Sequence, residues 1–491
     1  MVCPETSSDE PLTPAGRLFL QPETDLVIHC IIRGKNPADM DAIKSAIKSS
    51  LMVQHPRFCS LLVRDKNGFE HWRKTPIDIG QHVIVVNNRL DKSGNFIDQT
   101  QGSTTTEEDD EAAVNQYVAD LSVSSPLSTD KPLWELHVLT AHKCAVFRIH
   151  HSLGDGISLM SMLMANCRRA DDAEALPRMV PDKKTVIKGE KGRDWFWLFG
   201  VLWWFLKMVV FTLLFSMEFV LRSLLVPDEK TAITGGDGVE LWPRKLATAK
   251  FLLDDMKLIK RAVPDTDGLA SSSHLAVKLE ICPTLLSSWK IGNVSVVNGE
   301  TSCNPLNSSS SVNMVQTIND VLLGMVSSGL SRYLDHRTPN VLHEGLRITG
   351  VAMVNIRPQP GLQDLSKLMK SNTKARWGNK FGVILIPVYY HKGGNDPLEY
   401  LKRAKAMVDK KKHSLEAYFS YKIGDLIMSL LGPKYACMLN YKLLCNTTFT
   451  LSNVAGPLEE ISLAGNPLSS IKVNTSSLPQ VQCSNLSLIV I

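Results

Sequence analysis

The sequence predicts an α/β protein of two lobes with a hydrophobic helical insert between them, and three observations predict it. At 491 residues the chain is longer than one ordinary core serves. Strand-like and helix-like stretches alternate through residues 1–185 and resume through residues 246–491. Between them, residues 186–245 hold the end of a basic linker and the most apolar run of the chain, 195–226. Hydrophobic residues make up 44% and charged ones 21%, a globular balance rather than a disordered one. The formal net charge of +5 is too dilute to point to nucleic acid, and neither a nucleic-acid-binding motif nor a sustained basic helix is present.

In the first lobe, Leu26–Ile32 and Val83–Val86 read as strands, and Asp39–Leu51 and Ala112–Leu121 as helices. The acidic run QGSTTTEEDDEA, Gln101–Ala112, reads as a mobile surface loop. Glu135–His151 gives two strands, a hairpin, and Ile157–Ala170 a helix rich in Leu and Met.

The insert WFWLFGVLWWFLKMVVFTLLFSMEFVLRSLLV follows a basic linker, 182–193, and carries four of the nine tryptophans. As one straight helix its 32 residues would reach about 48 Å, against roughly 30 Å of bilayer hydrocarbon. Arg193, Lys207, Glu218 and Arg222 fall on one stripe, which Gly200 shares. Two readings follow: a helix in the membrane interface with its stripe toward water or protein, or a spanning helix whose stripe faces a partner. A helical hairpin buried inside the protein is the third. The lysines ahead of it fit a cytosolic flank and attraction to anionic lipid.

In the second lobe, Ala276–Ile281, Leu346–Asn355 and Gly382–Val388 read as strands, and Thr317–Tyr333 and Leu398–Lys412 as helices. Gly292–Val312, low in complexity, reads as a disordered surface loop. The ten cysteines are scattered without a CxxC pair, which fits reduced thiols facing the cytosol. The five Asn-x-Ser/Thr triplets, at Asn293, Asn307, Asn446, Asn474 and Asn485, read as chance occurrences. The polar, acidic opening has no apolar signal segment, so any membrane attachment is expected from within the chain.

The residues that speak most directly of chemistry are HHSLGDG, His150–Gly156, between an apolar strand and a helix. A strand end is a stiff place from which to present a side chain into a cleft, and Gly154 and Gly156 allow a tight turn. A histidine there can take a proton from a hydroxyl as it attacks a carbonyl. Asp155 can lock the loop by pairing with an arginine or can orient the imidazole. Adjacent residues of a strand point to opposite faces, so His150 and His151 are not expected to share a metal ion.

HHSLGDG resembles the HHxxxDG motif of the acyl-coenzyme A-dependent acyltransferase superfamily, which includes chloramphenicol acetyltransferase and peptide-synthetase condensation domains. Further segments resemble the plant wax ester synthase/diacylglycerol acyltransferase branch, in order along nearly the whole chain. They are EPLTPAGRLF (Glu10–Phe19), HPRFCS (His55–Ser60), PLWELHVL (Pro132–Leu139), TINDVLLG (Thr317–Gly324), MVNIRP (Met353–Pro358), WGNKFGVILIP (Trp377–Pro387) and SNVAGP (Ser452–Pro457). The DFGWG motif of soluble plant alcohol acyltransferases is absent.

The resemblance implies two chloramphenicol-acetyltransferase-like lobes with the site in the cleft between them. It implies His151 as general base, His150 in support, and Asp155 and Gly156 as the structural half of the motif. Arg357 is the candidate partner of Asp155. Asn319 is expected either to help hold the oxyanion or to cap the helix Asp320–Tyr333. Trp134 is expected in core packing or along an acyl tunnel. The implied substrates are acyl-coenzyme A and a long-chain alcohol, with diacylglycerol as the alternative acceptor. No metal, further cofactor or nucleic-acid partner is implied. The expected location is the endoplasmic reticulum membrane with the lobes facing the cytosol, the plasma membrane being the alternative. A non-catalytic lipid-binding protein is the competing class.

Overall fold

The computed structural model describes residues 9–97, 106–177, 195–259, 293–299, 318–357 and 377–487, apart from 67, 253–254, 257, 394–395, 458 and 477. The helix α1 (Pro14–Leu18), capped by Thr13, leads into β1 (Val27–Gly34), and Asp39 caps α2 (Met40–Ser49). After β2 (Val83–Val86), Thr106 caps α3 (Glu107–Ser124), whose first turn is Glu107, Glu108, Asp109 and Asp110. The second half of the expected acidic loop is therefore helix, because four carboxylates complement the positive end of a helix dipole. Residues 101–105 lie outside the described set. The hairpin of β3 (Trp134–Leu139) and β4 (Cys144–His150) turns through Lys143, at φ 47°, and α4 (Gly156–Asn166) follows. That helix stops short of Ala170; the chain continues into the short strand β5 (Arg168–Arg169).

The insert is a single helix, α5 (Trp195–Leu224). Beyond it lie β6 (Leu246–Leu252), β7 (Asn293–Gly299), α6 (Ile318–Arg337), β8 (Arg347–Asn355), β9 (Phe381–Tyr389) and α7 (Pro397–Lys412). The strand β7 corrects the start of the expected loop at Gly292–Val312: NVSVV alternates with β-branched valine and pairs parallel to β6. Residues 300–312 and the expected strand Ala276–Ile281 lie outside the described residues. A long helical element that sequence periodicity did not reveal, α8 (Glu416–Cys445), is broken at Gly432. The chain ends in β10 (Phe449–Ala455), β11 (Ile461–Leu463), β12 (Asn466–Thr475) and β13 (Val481–Ser487).

Two mixed sheets organise these elements. The first runs β5-β11-β12-β1-β4-β3-β2 and the second β6-β7-β13-β10-β8-β9. Two strands from the far end of the chain, β11 and β12, complete the sheet of the first lobe, with β12 antiparallel to β1 from Thr475↔Ile28 to Leu468↔Gly34. The 246–491 segment thus contributes strands to both lobes. Aliphatic and aromatic side chains of β1, β3 and β4 pack against α2 and α4, while β8, β9, α6 and α7 enclose the core of the second lobe.

Candidate active site between the lobes

His151 follows the last residue of β4, where its backbone N–H donates to the carbonyl of Leu26 at 2.8 Å. Its side chain meets the other lobe. The Asn379 Nδ2 donates to the carbonyl of His151 at 2.9 Å, which sets the amide so that Oδ1 faces His151 Nδ1 at 3.1 Å. An amide oxygen only accepts, so Nδ1 carries the proton and Nε2 keeps its lone pair. Phe19 stacks on the imidazole at 4.1 Å, and Phe381 stands edge-on at 6.2 Å. Desolvation of this half-buried ring lowers the His151 pKa to about 4, against weaker opposing pulls from a backbone hydrogen bond, Asp155 and Asn379, so the ring is neutral at neutral pH.

His150 turns the other way. Its Nδ1 accepts from the Ser152 N–H at 3.1 Å, so its proton lies on Nε2, which faces Asp25 at 2.7 Å. The two histidines thus have opposite tautomers and separate environments. Among the described residues, no group of three His, Cys, Asp or Glu side chains is placed to hold a metal ion.

Asp155 caps α4 by accepting from the Ser158 N–H at 3.0 Å. Both its oxygens are taken by Arg357 of the opposite lobe, at 2.7 and 3.1 Å, and the Lys380 N–H adds a third bond at 3.0 Å. The pair is buried on both sides. Arg357 also donates to Ser158 Oγ and to the Gly378 carbonyl. This bidentate fork ties the loop carrying Asn379 to the turn carrying His151. Gly378, at φ +107°, occupies a backbone conformation that favours glycine, with Arg57 Nη1 close beside it. Trp377 donates to the Leu153 carbonyl at 2.8 Å and lies against His55, so HPRFCS and WGNKF support one another.

Gly156 opens α4 where a Cβ would meet Val454 Cγ2 at 3.3 Å. It also lines an apolar cavity of about 530 Å³ beneath the first sheet, with Ile28, Trp134, Phe147, Ile149 and Met162. Trp134 is fully buried, donates to the Phe58 carbonyl at 2.9 Å and stacks on His82 at 3.9 Å. Asn319 lies in the first turn of α6, exposed, and its Oδ1 accepts from Asn453 Nδ2 at 2.6 Å. That bond joins the Asn-Asp segment to SNVAGP. Sequence reasoning missed Asn379, Phe19, Phe381 and Asp25. The first three stand inside segments that carry the resemblance, whereas Asp25 had no signal of its own.

Residues 110–194 match the wax ester synthase/diacylglycerol acyltransferase catalytic domain, and residues 377–487 match the C-terminal domain of the same family. Wax ester synthase/diacylglycerol acyltransferase 11 of Arabidopsis thaliana is 34% identical over 484 residues, covering 95% of this chain and 85% of the relative. Wax ester synthase/diacylglycerol acyltransferase 5 of the same plant is 32% identical over 489 residues, 94% of this chain and 83% of the relative. Among solved structures, the wax ester synthase/diacylglycerol acyltransferase from Marinobacter aquaeolei VT8 superposes with a TM-score of 0.50 at 15% identity, covering 98% of this chain and 90% of that one. That likeness is of fold alone. With a relative at this identity over nearly its whole length, the chain belongs to the wax ester synthase/diacylglycerol acyltransferase family and is an acyltransferase.

Proposed function

We propose that the protein joins a fatty acyl group from acyl-coenzyme A to a long-chain alcohol, forming a wax ester, with His151 as general base. The observation that carries this reading is the Asn379 clamp, which leaves a neutral Nε2 unprotonated between the lobes. Nε2 takes the hydroxyl proton as the alcohol oxygen bonds to the thioester carbonyl carbon. The tetrahedral adduct then breaks its C–S bond, and the proton on Nε2 passes to the departing thiolate. Ester and free coenzyme A leave, and the imidazole is neutral again. No covalent enzyme intermediate or metal enters this scheme.

In it, Asp155 and Arg357 hold the two halves of the site in register, and His150 braces the turn through Asp25. Asn319 and Asn453 stand as candidates for the oxyanion. The apolar cavity beside Trp134 has the size and lining of a lipid-tail site and is assigned to the acyl chain. The exposed apolar face of α5 supports attachment to a membrane, where both candidate acceptors dissolve; the proposed location is the endoplasmic reticulum, with the lobes in the cytosol and the plasma membrane as the alternative. Diacylglycerol is the alternative acceptor.

The test is an acyl-transfer assay on membranes from cells expressing wild type and His151→Ala. Labelled palmitoyl-coenzyme A is offered with hexadecanol, with diacylglycerol, and with both. Wax ester made by the wild type and lost in the variant is expected. Triacylglycerol alone would transfer the assignment to the second acceptor, and product from the variant would remove His151 from the base role.

A further inference from the structure

We propose that the protein is monotopic: α5 does not cross the bilayer but lies within a single leaflet, beside the elbow of α8. This deepens the membrane attachment proposed above and rests on it. The partner of the face is a lipid surface.

The strand β1 precedes the insert and β12 follows it, yet they pair side by side in one sheet. The Asp155–Arg357 and His151–Asn379 contacts repeat the connection across the lobes. Everything before and after α5 therefore stands on one side of a membrane. The chain is still on the first lobe at Ala175, whose carbonyl accepts from Arg169. It returns to the second lobe four residues past the helix, where Asp228 is buried against Thr349 and Thr448 and receives Arg222 at 2.7 Å.

A single crossing by α5 would force a second crossing within residues 178–194. That segment reads RMVPDKKTVIKGEKGRD, with nine of its seventeen residues charged. Each such charge costs about 2.5–3.5 kcal/mol at mid-bilayer even on insertion scales. Among the described residues, α5 is the only helix long and apolar enough to cross.

The packing of α5 fits a helix held lengthwise. In its second half the polar stripe is used by the protein: Glu218 pairs with Arg347, and the Arg222 carbonyl accepts from Asn446 at 2.6 Å. Thr212 Oγ1 accepts from the Leu415 N–H at 3.0 Å, and the Lys411 ammonium sits 3.7 Å over Phe215. The first half is different. Val201–Leu206 are apolar and each between 44% and 62% exposed, so this stretch presents apolar side chains to the surroundings all round. A helix apolar all round belongs in lipid. Its twelve residues, 195–206, measure about 18 Å, close to one leaflet and far short of two.

The second element is α8. Gly432, at φ +81°, and Pro433 break it into arms of residues 416–431 and 433–445. Both arms stand on the same sheet: the Ala417 backbone abuts Gly382, and Leu443 and Leu444 pack with Val351 and Leu385. The elbow between them exposes Leu430, Leu431 and Tyr435. Because both feet return to the lobe, the elbow can dip into a leaflet without crossing it. Beneath the two helices, Phe219, Leu443, Phe381 and Phe19 form one apolar cluster, and Phe19 stacks on His151. An acceptor dissolved in the leaflet meets apolar side chains along that route to the base.

The test uses the full chain in sealed microsomes, with other reactive cysteines replaced. Single cysteines are placed at Leu176 and Leu241, exposed positions on either side of the insert, and at Lys191, just ahead of α5 in the sequence. An impermeant maleimide is applied to sealed and to detergent-opened vesicles. The expected sealed-to-opened labelling ratio is near one at all three positions. A ratio near zero at Lys191 beside ratios near one at Leu176 and Leu241 overturns monotopy, because only a crossing by α5 carries Lys191 to the far side. Protein found only in the soluble fraction would instead overturn membrane attachment itself. As a second arm, Leu430→Asp with Leu431→Asp is expected to cut flotation with phosphatidylcholine vesicles about tenfold at an unchanged melting temperature. Unchanged flotation would remove the elbow from the face.

Discussion

The turn after β4 and the first half of α5 use exposure in opposite ways. Around His151 the polar atoms are matched: Asn379 to the imidazole and Arg357 to Asp155 across the lobes, and Asp25 to His150 within the first. Along Phe199–Leu206 the side chains are apolar and open to the surroundings. Desolvation in the first region keeps the His151 imidazole neutral, whereas exposure in the second leaves an apolar surface, the one proposed above to meet lipid. Damage to the first should therefore appear in stability and rate, and damage to the second in location.

The largest effect is expected at the lobe-spanning ion pair. Arg357→Ala leaves a buried carboxylate without its guanidinium, a loss of about 3–5 kcal/mol in denaturant unfolding. Asp155→Asn combined with it should be no worse than either change alone; simple additivity would show that the two do not act as a pair. Next comes Asn379→Ala, which frees the imidazole to change tautomer. The turnover number should fall about tenfold, as expected of a lost hydrogen bond worth about 1–1.5 kcal/mol, with the KM for acyl-coenzyme A little changed. Asn379→Asp should move the acid limb of the rate profile upward, since a carboxylate stabilises the imidazolium.

A smaller, broader effect follows from two buried histidines, His29 and His55, and the half-buried His151. Burial lowers His29 and His55 to about 3 and His151 to about 4 in the folded protein. The unfolded chain takes up these protons near pH 6.5, so the folded state holds fewer protons in between. Their contribution is fully present above about pH 6.5 and is lost as the pH falls toward 4 and then 3. Unfolding free energy measured at about pH 7.5 should exceed that at about pH 5; equal values would contradict the burial. The smallest effect is expected from Trp203→Ser with Trp204→Ser. These exposed changes should alter stability by no more than about 0.5 kcal/mol while lowering the share of protein that pellets with membranes. A clear drop in melting temperature would place that half of α5 inside the protein.

The same contrast explains what the sequence made legible. The hairpin ending at His150, the helix after Gly156 and the apolar insert are local patterns, and periodicity alone located them. The acidic run at Gln101–Ala112 misled because polar composition signals a loop, whereas four carboxylates behind a threonine cap also start a helix. The helix α8 escaped notice because Gly432 and Pro433 interrupt its pattern. Membership of β12 in the first sheet rests on pairing across more than four hundred residues, which no local window records. In the site, the HHxxxDG residues were read directly. Asn379 was quoted within a recognisable segment, yet nothing in WGNKF distinguishes an orienting amide from a loop residue until Nδ2 is seen on the His151 carbonyl.

The central claim is that His151 works as a neutral base whose burial and Asn379 clamp keep Nε2 available. It is tested most directly by the pH dependence of kcat/KM for wild type beside His151→Ala. The account predicts a level profile from about pH 5.5 to about pH 8, with the acid limb well below the ordinary histidine value of about 6.5, and loss of roughly a hundredfold or more in the variant. An acid limb at or above the ordinary value, or a variant that keeps most of its activity, would contradict it.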